Sequence, residues 1–201
     1  IAILTSLISG QHVDFEKIHT EGITKITTED MKYAKKLNMA IKLLASSKRV
    51  GDTFSVLVAP MLLSEEHPLC NVNDVFNAVF VRGNMLGDAM FYGSGAGKLP
   101  TASAVVADVV DAAKHLHRNV VTRWDAGELE LIPNAEAEHR FFVRVQGRSE
   151  AQKEQIREAF GSVEIVETEG LEDEFGFITE VMTEGTYSKK AEAFPEIIHM
   201  I

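Results

Sequence analysis

The chain has 201 residues, 45% of them apolar and 25% charged, with a formal net charge of −10, which is enough material to bury a sizeable core in one or two domains. An acidic chain without a clustered basic face is a poor nucleic-acid ligand, because neutralising phosphates with Lys and Arg supplies most of that affinity. No run approaches the roughly 18 apolar residues of a membrane span, so a soluble protein is expected.

Charge is unevenly spread. Residues 1–127 carry 13 basic and 13 acidic side chains and residues 128–201 carry 7 and 17, so the whole imbalance lies in the last third and marks a domain boundary. Cys70 is the one cysteine, which excludes an internal disulfide and a multi-cysteine zinc site, fits a reducing cytoplasm, and reads most simply as a small buried apolar residue.

In chain order, Ile1 to Ser9 reads as the last turns of a helix that begins before Ile1, since it lacks the basic flank and cleavage pattern of a signal sequence. Thr27 or Thr28 is a helix N-cap with Glu29 and Asp30 in the first turn, and Asn38 closes that helix. Ala40 to Ser46 and Thr53 to Leu62 are predicted strands forming a hairpin, with Thr53 to Leu62 a candidate edge for pairing with another chain. Ser64 to Asp74 is a polar loop. Glu65, Glu66 and His67 are adjacent there and read as a solvated turn. Val75 to Arg82 and Gly87 to Tyr92 form a second hairpin around Gly83-Asn84. A glycine loop, Gly93-Ser94-Gly95-Ala96-Gly97-Lys98, then leads into a helix from Ala102 to His117 whose circumference is largely apolar, which predicts burial between layers. Asn119 to Glu138 lacks periodicity and fits a linker or an extended strap. Arg140 to Val145, Ser149 to Phe160, Val163 to Glu169, Phe175 to Met182 and Thr186 onward read as strand, helix, strand, strand, helix, five sixths of a ferredoxin-like unit. Glu172-Asp173-Glu174 is a charged turn between its strands.

The glycine loop reads either as a tight strand-to-helix turn or as a ligand-facing backbone. Alternate glycines strip one side of the backbone of Cβ atoms, and Pro100 fits a first helical turn, so free amides and the positive helix end face one space, suited to a phosphate, a carboxamide or an oxyanion. A phosphate-binding P-loop is excluded because Tyr92 and Leu99 stand where it needs Gly and Ser or Thr. The dinucleotide fingerprint fails at Lys98. Thr101 and Ser103 read as helix-capping hydroxyls, and Lys98 as a solvated lysine. Metal binding is not expected. His115 and His117 diverge on a helix, and Asp111 with His115 makes at most a surface pair.

Phe76-Asn77-Ala78-Val79, Gly87 and Phe91-Tyr-Gly-Ser-Gly-Ala-Gly-Lys-Leu-Pro-Thr-Ala-Ser-Ala-Val-Val-Ala-Asp108 resemble the homoserine dehydrogenase signature. The resemblance runs upstream through Gly22-Ile-Thr-Lys-Ile-Thr-Thr-Glu-Asp30, Ile41-Lys-Leu-Leu-Ala45, Val58-Ala-Pro60 and His67-Pro-Leu69, covering residues 1–118. It implies the end of a catalytic and dimerisation domain over residues 1–120, a linker over 121–138 and an ACT-like regulatory unit over 139–201. The fold expected is α+β: a mixed or antiparallel sheet backed by helices, then a small ferredoxin-like βαββα unit with its final strand cut off or unrecorded.

The family interconverts aspartate 4-semialdehyde and homoserine with NADP or NAD, on the route to threonine, methionine and isoleucine. The resemblance implies that Gly97 contacts the cofactor, supported by Gly93, Gly95 and Ala96, and that the protein is a homodimer. It places the family's proton-transferring lysine, its substrate-binding carboxylates and its nucleotide-binding domain before Ile1, so a fragment without catalytic residues of its own is expected, inactive alone. Threonine is a candidate effector of the C-terminal unit, although the loop after its first strand, Gly147-Arg148-Ser149-Glu150-Ala151, departs from the pattern of such sites. The competing reading is a non-enzymatic ligand-sensing or interaction protein.

Overall fold

The computed structural model describes residues 1–119, 121 and 124–201. They form two compact units, residues 1–62 with 124–201 and residues 63–123.

The larger unit opens with α1 (Ala2–Ser9), closed by Gly10 in the left-handed conformation, and two short strands, β1 (Gln11–His12) and β2 (His19–Thr20). Helix α2 (Thr28–Lys36) starts in a full capping box, with the Thr27 hydroxyl accepting from the Asp30 amide and the Asp30 carboxylate accepting from the Thr27 amide, two otherwise orphaned donors satisfied at once. Asn38 ends it at a φ of 54°. Strands β3 (Met39–Val50) and β4 (Thr53–Ser64) meet at a Gly51-Asp52 turn. The sheet order is β2-β4-β3, with Phe54 also bridging Leu131. The expected edge, Thr53 to Leu62, is therefore the centre of its sheet, and β3 is the edge. Adjacent segments from elsewhere in the chain occupy the second side of β4, which local pattern does not encode.

The smaller unit contains the second hairpin, β5 (Phe76–Gly83) and β6 (Gly87–Ser94), antiparallel in unbroken register from Gly83 opposite Gly87 to Phe76 opposite Ser94. Helix α3 (Lys98–Lys114) follows. It is not buried between layers. None of its residues is buried, and Val105 and Val109 are 57% and 63% exposed. One hairpin offers too little apolar surface to cover a helix of 17 residues, and among the described residues of this unit nothing else supplies a second layer.

Of the expected linker, residues 122 and 123, and residue 120 just before it, lie outside the described set. From Trp124 the chain belongs to the larger unit: β7 (Asp125–Glu128) pairs in parallel with β1, and Leu129 is buried beside Val13, Phe54 and Val56. Lys17 also bonds the Glu128 carboxylate. The strap ends in β8 (Glu138–His139).

The last stretch comprises β9 (Phe142–Gln146), α4 (Glu150–Phe160), β10 (Glu164–Val166), β11 (Glu174–Ile178), β12 (Met182–Thr183, paired with β8), α5 (Glu184–Ala191) and β13 (Ile197–Met200). Four of the strands form an antiparallel sheet in the order β10-β11-β9-β13, the full ferredoxin-like arrangement. The strand expected to be cut off is present. Pro195 stops α5 short of it, and Ile197, His199 and Met200 pair with β9.

Alternation along β9 and β11 sends side chains to opposite faces. Phe141, Val143, Val145, Phe175 and Phe177 pack with Ile156 and Phe160 of α4 and Tyr187 of α5. Phe142 and Ile178, on the other face, pack with Tyr33 of α2 and Val166. The Phe142 and Tyr33 rings lie 5.3 Å apart. Gly176 permits this approach, since a Cβ there would stand 2.6 Å from Phe142 Cε2. A sheet covered on both sides explains why all five residues of β11 are buried.

Candidate functional site

The glycine loop spans the three residues between β6 and α3, and all its residues from Gly93 to Lys98 are exposed. Gly93 pairs with Asn77 in the hairpin register, and stacked Phe76 and Tyr92 rings, 4.9 Å apart, brace the strand ends. Each glycine has its own reason. A Cβ on Gly95 would stand 3.0 Å from Asn77 Cγ, so the bare backbone there admits the Asn77 amide, which also donates to the Val75 carbonyl at 3.4 Å. This gives Asn77 a packing role that its sequence context does not reveal. Gly97 is the N-cap of α3 at a φ of 117°, a conformation costly for any residue with a Cβ. Gly93 has open space around it and no such φ.

No side chain caps α3. Thr101 and Ser103 do not take the capping role expected of them; the Thr101 amide instead donates to the Gly97 carbonyl at 3.1 Å. The first amides of α3, at Lys98 and Leu99, thus open onto the exposed side of the loop together with the positive end of a 17-residue helix, a fit for an electronegative group such as a carboxamide oxygen. Ala96 lies on the same exposed stretch.

We expect Gly93→Ala to leave the hydrogen-exchange protection of β5 and β6 unchanged, while Gly95→Ala, forced against Asn77, lowers it by about 1–3 kcal/mol. Equal protection in the two variants would contradict the packing described.

Other candidates resolve into structural roles. His67 caps a short turn through Nδ1, accepting from the Leu69 amide at 3.2 Å, and its ring lies 4.8 Å from that of Phe80. Asp111 and His115 pair at 3.5 Å on an exposed helix face. Cys70 is half-buried rather than buried, on a short turn that offers little cover. Among the described residues no group of three potential ligands could hold a metal ion, and no helix is long and apolar enough to cross a membrane.

The acidic run 172–174 is more than a solvated turn, because Glu174 is buried and its carboxylate takes both Nε and Nη2 of Arg144, at 3.0 and 2.7 Å. Arg144 is 4% exposed, and its Nη1 reaches Asp30 at 2.8 Å and Thr27 Oγ1 at 2.9 Å. His199 Nδ1 lies 3.0 Å from the second Asp30 oxygen. Burial disfavours the Asp30 carboxylate, but hydrogen bonds from His199, Arg144 and the Thr27 amide outweigh it and hold its pKa well below the ordinary range. The capping box of α2 is thereby fastened to three strands of the ferredoxin-like sheet. Asp30 was legible as an acidic residue in the first turn of α2. Arg144 was not, because nothing nearby in sequence announces a partner 114 residues away.

The loop after β9, where an effector was considered, is bridged by the side chain of Gln152. Gln152 completes a capping box with Ser149 and donates to the Gln146 carbonyl at 3.2 Å, and a Cβ on Gly147 would stand 2.9 Å from its Cδ.

Hairpin, exposed glycine loop, uncapped helix and C-terminal ferredoxin-like sheet define an α+β chain. The homoserine dehydrogenase family model matches residues 1–110. The homoserine dehydrogenase of Neisseria gonorrhoeae is 36% identical over 158 residues, 75% of this chain and 36% of that protein. That of Mycobacterium tuberculosis is 32% identical over 216 residues, 98% of this chain and 49% of that protein. The crystal structure of a homoserine dehydrogenase from Thiobacillus denitrificans superimposes with a TM-score of 0.84 at 28% identity, covering 100% of this chain and 50% of that one. The chain belongs to the homoserine dehydrogenase family, and it spans half or less of the length of these relatives.

Proposed function

We propose that this chain is part of an NAD(P)-dependent homoserine dehydrogenase that interconverts L-aspartate 4-semialdehyde and L-homoserine, with the glycine loop against the nicotinamide end of the cofactor. The observation that carries the reading is the exposed Gly93–Lys98 loop, with open space where a Cβ on Gly93 would stand, leading to an uncapped helix within the family-matched region. When bound, the cofactor supplies the hydride. Gly93, with open space beside its backbone, lets the loop lie close to a flat ring next to Gly95, Ala96 and Gly97, and the Lys98 and Leu99 amides orient its polar substituent. Proton transfer and substrate carboxylate recognition belong to residues outside this chain. The division into a catalytic and dimerisation region and a regulatory C-terminal unit, a cytoplasmic location and a homodimer belong to the same proposal.

The test is direct. The purified chain, incubated with aspartate semialdehyde and NADPH, is expected to show no turnover. The same chain joined to a nucleotide-binding region carrying the missing lysine is expected to be active, and to lose cofactor affinity on Gly93→Ala. Turnover by the chain alone would falsify the assignment of its roles. Threonine remains the effector proposed for the C-terminal unit, predicting a raised unfolding midpoint in millimolar threonine. An unchanged midpoint removes it.

A further inference from the structure

The larger unit carries a half-open pocket of about 410 Å³ that neither the glycine loop nor the Arg144 network explains. One wall comes from the β2-β4-β3 sheet and its approach, through Met39 and Pro60, and the other from the ferredoxin-like sheet, through Phe142, Ile178 and Ile201. The volume falls within the range of small-molecule sites.

The polar groups on the wall are unevenly matched. Arg140 lines the cavity and donates from Nε to the Thr179 carbonyl at 3.1 Å. Arg140 is exposed to solvent and forms no ion pair among the described residues, Lys25 on the same wall is neutralised by Glu21 at 3.2 Å, and Glu184 adds a carboxylate to the lining. Next to Arg140 in the chain, His139 also lines the cavity, and its Nε2 is buried without a hydrogen-bond partner. Burial and the charge of Lys48 lower the basicity of that imidazole. A buried polar atom without a partner costs about 1–3 kcal/mol, and an unpaired guanidinium is built to take a planar anion on two parallel N–H donors.

We propose that this cavity is a binding site for a small organic monocarboxylate with a branched or linear apolar tail, the carboxylate meeting Arg140 and His139 and the tail lying among Met39, Pro60, Phe142 and Ile178. Because its walls come from the N-terminal sheet and the C-terminal unit, a ligand there holds these two parts together, and a ligand bound to the folded state alone raises its stability. The site draws only on the larger unit and is independent of the dehydrogenase reading.

The experiment uses the full 201-residue chain, titrated with 4-methylpentanoate and with the isosteric 4-methylpentanamide, followed by calorimetry and by the histidine ring resonances. The acid is expected to bind with a Kd at or below about 1 mM, which an eight-heavy-atom ligand can reach, and to shift the His139 resonances. The amide should bind at least about tenfold more weakly, and Arg140→Gln should weaken the acid by a similar factor while leaving the unfolding midpoint unchanged. Ala59→Leu, which fills the cavity wall from β4, should abolish binding. Absence of saturation by about 10 mM acid, well above that Kd, overturns the proposal. So does equal affinity for the amide, or full affinity in Arg140→Gln.

Discussion

Arg144→Ala is expected to destabilise the chain by about 3–5 kcal/mol, read as a lowered urea midpoint, because it strands two buried carboxylates. Asp30 is fully buried and Glu174 is 8% exposed. The guanidinium makes four hydrogen bonds to Thr27, Asp30 and Glu174, and no water can replace it at that depth. Replacing a single partner is the damaging case; Arg144→Met together with Asp30→Leu and Glu174→Leu removes all three charges and should recover much of the loss.

The same network fixes an acid limb. Asp30 has a depressed pKa in the folded state, so its contribution is complete above the unfolded value of about 3.9 and is lost as pH falls below it toward the folded value. Stability should drop below about pH 4 in the parent chain, and this drop should be shallower in Arg144→Ala, where Asp30 has lost a partner. An identical acid limb in the two proteins would mean that the pair contributes nothing to it.

Phe177→Ala is expected to cost a similar amount, about 3–5 kcal/mol, by a different route. Phe177 is completely buried, 5.2 Å from the Phe160 ring, in the cluster that joins β9 and β11 to α4 and α5. Its removal leaves a void between sheet and helices that aromatic neighbours held on one side by the backbone cannot close. Unlike Arg144→Ala, this variant should leave the shape of the acid limb untouched, since no charge changes. A loss below about 1 kcal/mol would indicate that α4 and α5 collapse onto the sheet.

Much of this organisation is legible in local residue choice. Thr27 and Asp30 define a capping box by spacing, Gly83 to Gly87 mark a hairpin, Ser149 and Gln152 begin α4, and the string from Phe91 to Asp108 carries the family. Each depends on residues within a few positions of one another, where backbone geometry and hydrogen bonding are set by the chain itself.

Other features depend on what lies opposite. β4 became a central strand because β2 and Leu131 reached its second side, and α3 is exposed because an apolar circumference states a demand for cover without supplying it. The last strand was hidden behind Pro195, which reads as a flaw in a helix until β9 provides a partner. Arg144 sits in a strand of alternating apolar residues where a lone charge would be costly. Only folding brings Asp30, Glu174 and His199 around it. Sequence alone determined the elements and the family, through short-range geometry. The tertiary structure decided which charges are buried, which strand is an edge and where a cavity opens, because those depend on pairings between residues far apart in the chain.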